Sequence, residues 1–257
     1  MSDIQYTNAI EIKNVTKRYS SGFTLDNISF NVPKGSVMGF IGQNGAGKTT
    51  TLRCLLNIIK ADSGEIKFLG LDHIKDEQQI KERIAVVFDE LPFHDIFNAK
   101  DMARIFEGIY PKWNNAVYNQ YLERFQLSSN KKIGEFSKGM KMKLQIACAL
   151  SHEAELLIMD EATTGLDPVV RDDILHIFLE YMHDGENHLY GERSILLSSH
   201  ITSDLEKIAD SVTFIDRGKL LISGRKSDII QSHSTSDEAS LEDIMLYYVN
   251  RDKKELS

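Results

Sequence analysis

Apolar and polar residues alternate along the first part of the chain, as they do in strands that bury one face. The alternation covers residues 10–15 and 23–32, and a Pro-Lys-Gly turn follows at residues 33–35. These two runs predict an antiparallel β start. The uninterrupted apolar run at residues 37–41 predicts a further strand.

A different spacing governs the middle of the chain, where apolar residues recur every three or four positions from about residue 99 to residue 150. This predicts an α-helical subdomain of about residues 91–150. Apolar runs at residues 156–159 and 195–197 then predict buried parallel strands that alternate with helices. The expected fold class is α/β, with an N-terminal antiparallel β subdomain and an inserted α-helical subdomain.

The last part of the chain is expected to close the core and end in a helix. Residues 212–222 have the pattern of a hairpin whose turn lies at residues 216–218. Residues 232–240 are polar and predict a loosely ordered link, after which apolar residues at helical spacing mark a terminal helix that packs locally. We therefore expect one domain over residues 1–235, followed by a C-terminal helix and a charged tail over residues 236–257.

The composition is that of an ordinary globular protein. Of 257 residues, 42% are hydrophobic and 26% are charged, and no apolar run reaches the length needed to cross a bilayer. The N-terminus lacks the basic start and apolar stretch of a signal peptide, so we expect a cytoplasmic protein. A net charge of −8 argues against a broad contact with nucleic acid. Cys54 and Cys148 lie in apolar helical patterns and are expected to be buried free thiols.

The most specific chemical signal is the glycine-rich segment that follows the strand at residues 37–41. Residues 42–50 have the spacing G-x-x-x-x-G-K-T, and a helical pattern begins after the lysine. Glycines let the backbone curl closely around a polyphosphate, so that its N–H groups point at negative charge. Lys48 supplies a cation to the terminal phosphates, and the Thr49 hydroxyl is placed to bind Mg²⁺. A chance match would lack this context of strand and helix.

Two acidic residues, Asp160 and Glu161, stand at the end of the strand predicted at residues 156–159. Open α/β sheets generally bind their ligands at this end of a strand. Asp160 would hold Mg²⁺, while Glu161 would orient or deprotonate the water that attacks a γ-phosphate. The alternative is an acidic strand end without chemistry, which the phosphate loop in the same chain disfavours.

Two weaker signals have both a structural and a functional interpretation. Ser137 precedes a strongly helical run and is a natural N-cap, but a helix N-terminus with a hydroxyl and Gly139 also suits a γ-phosphate. His200 follows the strand at residues 195–197, where it would either donate to a γ-phosphate or simply end the strand. Neither signal decides between these roles by itself.

The order of these motifs resembles the nucleotide-binding subunit of an ABC transporter. The order runs from the phosphate loop through the helical insert to residues 137–141, 156–161, 165–168 and His200, and the resemblance covers about residues 11–224. It implies a P-loop NTPase core of the ABC ATPase type. It also implies ATP and Mg²⁺ as cofactors, with ATP hydrolysis coupled to transport.

The resemblance assigns a role to each matching residue. Tyr19 would stack on the adenine ring, and the catalytic residues would be Glu161 and His200. Two subunits of this family pair head to tail. The family's signature segment, residues 137–141 here, would therefore contact a nucleotide held by the other subunit. The metal would be held by Thr49, Asp160 and Asp89, and the nucleotide by Tyr19, Gly42, Asn44, Gly45, Ala46, Gly47, Lys48, Thr49, Thr50, Ser137, Gly139 and Asp167.

Two segments depart from the family pattern. The glutamine expected after the strand at residues 84–88 is replaced by Asp89, followed by Glu90, so that a full negative charge stands in place of an amide. The signature keeps its serine and its second glycine but carries Lys138 and Met140 in place of glycine and glutamine. This form resembles bacterial exporters of the ABC-2 type.

Such a chain would be an ATPase that pairs with an identical or related subunit and drives export through separate transmembrane permease subunits, at the inner face of the cell membrane. No nucleic-acid partner is expected. The helical region at residues 93–125 would dock the permease, although helical spacing places at least half of its aromatic residues in the core. Those residues are Phe93, Phe97, Phe106, Tyr110 and Trp113.

Two alternatives belong to other classes. A soluble ABC ATPase acting on ribosomes or nucleic acid is disfavoured, because the chain has one cassette, no long coiled-coil insert and an acidic balance. A regulatory nucleotide sensor is disfavoured by the presence of Glu161 and His200. The unusual Asp89 keeps this second alternative open.

Overall fold

The chain folds into two compact units in the computed structural model, which describes residues 7–89, 92–184, 192–233 and 239–255. The first unit combines the two ends of the chain, Met1–Glu77 and Ser194–Ser257, and the second is the stretch between them, Gln78–Arg193. Glu90, most of the predicted polar link and the end of the charged tail lie outside the described residues.

In chain order, the described elements are β1 (Asn8–Arg18), β2 (Thr24–Pro33), β3 (Val37–Ile41), α1 (Lys48–Leu55), β4 (Ser63–Phe68), β5 (Leu71–Asp72), α2 (Glu77–Arg83), β6 (Ile84–Val87), α3 (Ala99–Ile109), α4 (Asn115–Arg124), α5 (Lys138–Leu150), β7 (Leu156–Asp160), α6 (Pro168–Asp184), β8 (Ser194–Ser199), α7 (Thr202–Ile208), β9 (Ser211–Asp216), β10 (Lys219–Arg225), α8 (Lys226–His233) and α9 (Leu241–Glu255). A short 3-10 turn at Ile133–Glu135 precedes α5.

The first strands of the first unit form an antiparallel sheet in the order β2-β1-β4-β5. β1 lies in its middle, and residues Ile10 and Ile12 are buried there between neighbours on both sides. Because the alternating apolar residues of β1 and β2 face the core, the pairing register is fixed by burial. The predicted antiparallel β start is confirmed.

The same unit contains a second group of strands, in which β3 lies between β8 and β9 and is parallel to both. β10 returns antiparallel along β9 through the turn at Arg217 and Gly218, as the hairpin pattern predicted. All five residues of β3 are buried, which explains its uninterrupted apolar run. The carboxyl ends of β3 and β8 meet at the pair Ile41 and Ser199.

The second unit contains the parallel strands β6 and β7 together with helices α3 to α6. A bidentate ion pair joins the beginnings of the two strand segments, since the Arg83 guanidinium donates to both oxygens of Glu155 at 2.7 Å. Tyr118 is buried, and its hydroxyl donates to the Ala99 carbonyl at 2.9 Å, which ties α4 to the start of α3. The predicted helical region between residues 99 and 150 is confirmed.

Several details differ from the sequence predictions or complete them. The short helices α2 and α8 carry too few apolar residues to show a period, and the sequence did not predict them. Ser232 and His233 belong to α8 rather than to a loose link. Cys54 and Cys148 are buried free thiols as expected, and burial raises the pKa of Cys148 to about 12. None of the helices in the described ranges is both long and apolar enough to cross a bilayer.

The terminal helix α9 packs locally, as its apolar stripe predicted. Leu241 and Ile244 are buried, and the Leu241 N–H donates to the Glu206 carboxylate of α7 at 2.7 Å. The carboxylate therefore satisfies one of the backbone donors that a helix start leaves open. We infer that α9 is held by burial and by this contact at its first residue.

Gly218 connects the hairpin turn to two other segments of the first unit. Its N–H donates to the Ala46 carbonyl at 2.8 Å, and its own carbonyl accepts from the Asp26 N–H at 2.7 Å. Its φ is +77°, and a Cβ there would lie 1.9 Å from the Thr24 carbonyl oxygen. No side chain fits at this position without moving the backbone.

Replacing Gly218 with alanine is expected to lower the free energy of unfolding by at least about 2 kcal/mol, from the left-handed backbone and the steric overlap together. Gly22 is the matched control, because its φ is +95° and no atom lies within 4 Å of its Cβ position. Gly22→Ala should cost about 1 kcal/mol. Urea unfolding of both variants measures the difference, and equal losses would contradict the packing argument.

Candidate functional site

The glycine-rich loop of the first unit connects the buried strand β3 to helix α1. Its backbone is left-handed at Gly45 and Gly47, with φ values of +80° and +113°. A Cβ at Gly42 would lie 2.5 Å from the Ile215 carbonyl oxygen of β9, so the loop starts in direct contact with that strand. The glycines therefore serve both the left-handed turns of this loop and its close packing.

The lysine of the loop is held inside it. Lys48 begins α1 and is only 5% exposed, and its ammonium donates to the Gly42 carbonyl at 2.6 Å and to the Gln43 carbonyl at 3.3 Å. Thr51 is buried, and its hydroxyl donates to the Gly47 carbonyl at 2.9 Å. The first turn of α1 contains no acidic residue. The N-terminus of α1 and the lysine thus combine their positive charge where an anion would lie.

The other predicted residues of the loop differ in exposure. Asn44, Gly45 and Thr49 are exposed, Thr50 is half-buried, and Ala46 is buried. The exposed hydroxyl of Thr49 lies in the first turn of α1 and is open to a ligand. Ala46 has a structural part in the loop, because its carbonyl accepts the Gly218 N–H described above.

An aromatic pair lies beside the loop. The Cζ atom of Phe23 is 3.1 Å from the Cβ position of Gly47, and the Phe23 ring centroid is 6.3 Å from that of Tyr19. Tyr19 is 38% exposed, and the Lys17 ammonium lies over its ring, 5.8 Å from the centroid. Phe23 was not singled out in the sequence, where it stood only as the first residue of a predicted strand.

Strand register places His200 at the same edge as the loop. β3 ends at Ile41, one residue before Gly42, and Ile41 is paired with Ser199, one residue before His200. Adjacent parallel strands lie about 4.8 Å apart, so the two segments leave the sheet side by side. Within the first unit, the strand register therefore places His200 beside the start of the phosphate loop.

Two acidic residues, Asp160 and Glu161, stand at the end of β7 in the second unit. Asp160 is its last residue and is 8% exposed, and Glu161 has a left-handed backbone with φ +54°. The Thr164 hydroxyl donates to Glu161 Oε2 at 2.6 Å, which fixes the orientation of the carboxylate. A left-handed residue other than glycine costs about 1–2 kcal/mol, and such strain is concentrated at functional sites.

Asp89 leaves the neighbouring strand at the same edge. Val87 of β6 is paired with Met159 of β7, so Asp89 and Glu161 each follow the pair by two residues. The Asp89 Oδ1 atom accepts a hydrogen bond from the Lys138 ammonium at 2.8 Å. The two departures from the family pattern are therefore ion-paired with each other.

The signature segment and residues 165–168 lie together in the second unit. Ser137 caps α5, as predicted, and its hydroxyl accepts from the Met140 N–H at 3.2 Å. The Cβ position of Gly139 is 3.7 Å from a methyl carbon of Val170. Asp167 accepts from the Val170 N–H at 3.1 Å and so caps α6.

Oxygen atoms of the proposed metal ligands suit a hard cation. A carboxylate at Asp160 and a hydroxyl at Thr49 are the ligand types that Mg²⁺ prefers. The chain thus carries donors that fit Mg²⁺, one set in each unit.

The aromatic residues of the helical region are less buried than their spacing suggested. All five are half-buried rather than in the core, so the expectation that at least half belong to the core is wrong. They pack on each other, with Phe106 at 5.6 Å from Phe93, 5.6 Å from Tyr110 and 5.4 Å from Trp113. Helical spacing reports which face is apolar, but it does not report how completely that face is covered.

A small cavity of about 40 Å³ lies between these rings and helix α5. Its lining includes Phe93, Phe106, Tyr110 and His152. The His152 ring is stacked on Tyr110 at 4.0 Å, and burial lowers the pKa of His152 to about 4. The imidazole is therefore neutral at pH 7.

Comparison with known proteins gives a consistent result. A family model described as ABC transporter matches residues 25–164. The bacitracin transport ATP-binding protein BcrA of Bacillus licheniformis is 39% identical over 219 residues, which are 82% of this chain and 68% of that protein. The lantibiotic transport ATP-binding protein SrtF of Streptococcus pyogenes is 31% identical over 215 residues, 83% of this chain and 89% of that protein.

Solved structures agree with these sequence relatives. A structure described as the ATP binding subunit of an ABC transporter has a TM-score of 0.83 and 26% identity, and the match covers 94% of this chain and 99% of that one. A nucleotide-free ATP-binding cassette from an ABC transporter has a TM-score of 0.72 with 22% identity and covers 88% of this chain and 94% of that one. The second likeness concerns the fold alone.

Substitutions in the loop and in the aromatic pair are expected to weaken the binding of ATP and of inorganic triphosphate differently. Lys48→Ala should abolish binding of both ATP and inorganic triphosphate, because it removes the cation of the loop. Tyr19→Ala should weaken ATP about tenfold, since stacking on a base contributes about 1–3 kcal/mol, and should leave triphosphate binding unchanged. Displacement of a fluorescent ATP analogue measures both ligands. A Tyr19→Ala variant that weakens triphosphate equally would exclude base stacking.

Proposed function

The chain belongs to the ABC transporter family, as the ATP-binding subunit of an exporter, and we propose that it hydrolyses ATP in a composite site built by two subunits. The main support for the proposal is that each motif occurs once in the chain and that the motifs lie in different units. The phosphate loop occurs once, in the first unit, and the signature serine and glycine occur once, in the second. A head-to-tail pair of subunits, identical or related, would supply both parts to each nucleotide.

In this proposal the first unit binds ATP. Backbone N–H groups of the loop and the N-terminus of α1 hold the phosphates, except the Ala46 N–H, which donates to the Gln43 carbonyl at 3.1 Å. Lys48 neutralises the terminal phosphates. Tyr19, supported by Phe23, stacks on the adenine ring. His200 leaves the adjacent strand and donates to the γ-phosphate. The register of Ile41 with Ser199 supports this role, because it places His200 beside the start of the loop.

The second unit supplies the acids. Bound Mg²⁺ would neutralise charge that develops during phosphoryl transfer. Of the oxygen ligands predicted for this ion, the second unit carries the Asp160 carboxylate. Glu161 accepts a proton from the attacking water, and the Thr164 hydroxyl orients the carboxylate for this step.

We also propose a docking surface for a membrane partner. The half-buried rings of Phe93, Phe106, Tyr110 and Trp113 present apolar area that no other described residue of the second unit covers completely. The exposed Ile109 extends this surface along α3. Since the relatives are transport ATP-binding proteins, a permease segment is the occupant that fits, and the chain would then lie at the inner face of the cell membrane.

The proposed cargo is an antimicrobial compound. Two relatives that match most of this chain are named for the transport of bacitracin and of a lantibiotic. The transporter relatives disfavour the alternative of a soluble ATPase on ribosomes or nucleic acid. Intact Glu161 and His200 disfavour a sensor that binds ATP without turnover.

Replacing Glu161 with glutamine tests the hydrolysis mechanism. Turnover should fall at least about 100-fold, because general-base catalysis contributes about 10²–10⁴-fold, while ATP binding persists and a dimer accumulates. ATPase assays and light scattering measure the two effects. Glu153→Gln is the matched control, since Glu153 is also half-buried and left-handed, with φ +57°. Undiminished turnover of Glu161→Gln would remove Glu161 from this role.

Replacing Ile109 with aspartate tests the docking surface. The variant should lose at least half of the permease that copurifies with the chain from detergent-solubilised native membranes, because a charge would have to be desolvated at the interface. Ile74→Asp is the control, since Ile74 lies in the first unit and has a similar exposure, 56% against 61% for Ile109. Equal retention of the permease by both variants would argue against docking at this surface.

A further inference from the structure

The Asp89–Lys138 ion pair joins the segment after β6 to the start of α5. Asp89 lies two residues after β6, and Lys138 is the first residue of α5, between Ser137 and Gly139. The Lys138 ammonium is 2.8 Å from Asp89 Oδ1, and the two side chains are 47% and 45% exposed. The pair is therefore accessible to a ligand from solvent or from a second subunit.

Stability does not explain why this cation stands at this position. An exposed ion pair contributes only about 0–1 kcal/mol. A positive charge in the first turn of a helix is also opposed by the helix macrodipole, which favours anions there. Lys138 is thus unfavourable at the start of α5 unless a negative group accompanies it. Asp89 is one such group.

The Lys138 side chain also depends on a glycine in another loop. Gly165 has a left-handed φ of +72°, and a Cβ there would lie 3.3 Å from the Lys138 ammonium nitrogen. A side chain at residue 165 would therefore require the ammonium to shift by a few tenths of an ångström. The glycine leaves the space that the ammonium occupies, beside the residues that cap α5 and α6.

We propose that Lys138 is an ATP-binding residue that contacts the terminal phosphate of the nucleotide held by the second subunit, and that Asp89 is its positioning residue. The proposal rests on the proposed function, because that phosphate reaches Ser137 and Gly139 only in a head-to-tail pair. Asp89 holds the ammonium beside the helix N-terminus while no nucleotide is there. The phosphate then provides a stronger anion for the same ammonium, through a charge-assisted hydrogen bond.

A second ion pair provides a matched control. The Lys141 ammonium is 3.0 Å from Asp95 Oδ1, and it joins α5 to the same segment after β6, one helical turn further along. Lys141 lies outside the Ser137–Gly139 segment. It therefore shares the anchoring role of Lys138 but not the proposed contact with phosphate.

ATP-induced dimerisation in the Glu161→Gln background tests the proposal. Light scattering over a range of ATP concentrations gives the concentration for half-maximal dimer. Lys138→Ala should raise it about tenfold, as expected for one lost charge-assisted hydrogen bond. Asp89→Asn should raise it about threefold and add nothing to Lys138→Ala. Lys141→Ala and Asp95→Asn should change it less than twofold.

Two conservative variants separate charge from packing. Lys138→Arg and Asp89→Glu keep the charges and should restore most of the response to ATP. ADP lacks the terminal phosphate, so its affinity for the Lys138→Ala chain should equal that for the parent.

Three results would overturn the proposal. These are an unchanged ATP response in Lys138→Ala, an equal shift in Lys141→Ala, or failure of Lys138→Arg to restore the response. An equal shift would show that both pairs only anchor the segment to α5. The absence of an ATP-induced dimer in the parent Glu161→Gln chain would instead contradict the composite site itself.

Discussion

The phosphate loop depends on the close packing of its backbone against neighbouring segments of the first unit. Gly42 leaves no room for a Cβ against the Ile215 carbonyl, and the Gly218 N–H donates to Ala46. Phe23 approaches the Cβ position of Gly47. These contacts fix the course of the loop without using its anion-binding N–H groups. The closing hairpin is therefore part of the nucleotide site, although it carries no residue that would contact the nucleotide.

Parallel strand pairing fixes the positions of residues beyond the loop. Each unit contains a pair of parallel strands whose carboxyl ends are in register, Ile41 with Ser199 in one and Val87 with Met159 in the other. Functional residues therefore emerge in neighbouring positions without any contact between their side chains being required. The candidate residues accordingly lie at these strand ends: Asp160 is the last residue of β7, His200 directly follows β8, and Asp89 follows β6 by two residues.

The sequence was most informative where one local signal determines structure. The spacing of residues 42–50, the N-cap at Ser137 and the turn at Gly218 each depend on a few neighbouring residues, and the structure has a loop, a cap and a turn there. Contacts between distant residues were not predictable in this way. Lys138 and Asp89 are 49 positions apart, so no period along the chain relates them.

The partial burial of the aromatic residues has a similar explanation. Helical spacing identified Phe106 as part of an apolar face of α3, but its exposure depends on which segments pack over that face. Phe23 shows the converse case. It occupies an unremarkable strand start in the sequence, yet tertiary packing places its ring against the phosphate loop. Local pattern thus determined the type of element, and tertiary packing determined the neighbours.

The segment after β6 connects the start of α5 to the aromatic surface of the second unit. Gln145 of α5 exchanges two hydrogen bonds with the Phe88 backbone, and Asp89 and Asp95 are ion-paired with lysines of the same helix. The segment continues to Phe93, whose ring packs on Phe106 of α3. A change at the N-terminus of α5 therefore has a short covalent and hydrogen-bonded path to the aromatic surface. The Gln145 bonds are less exposed than the Asp89 pair. In the proposed contact, Lys138 would therefore leave Asp89 while the start of the segment stays bonded to α5.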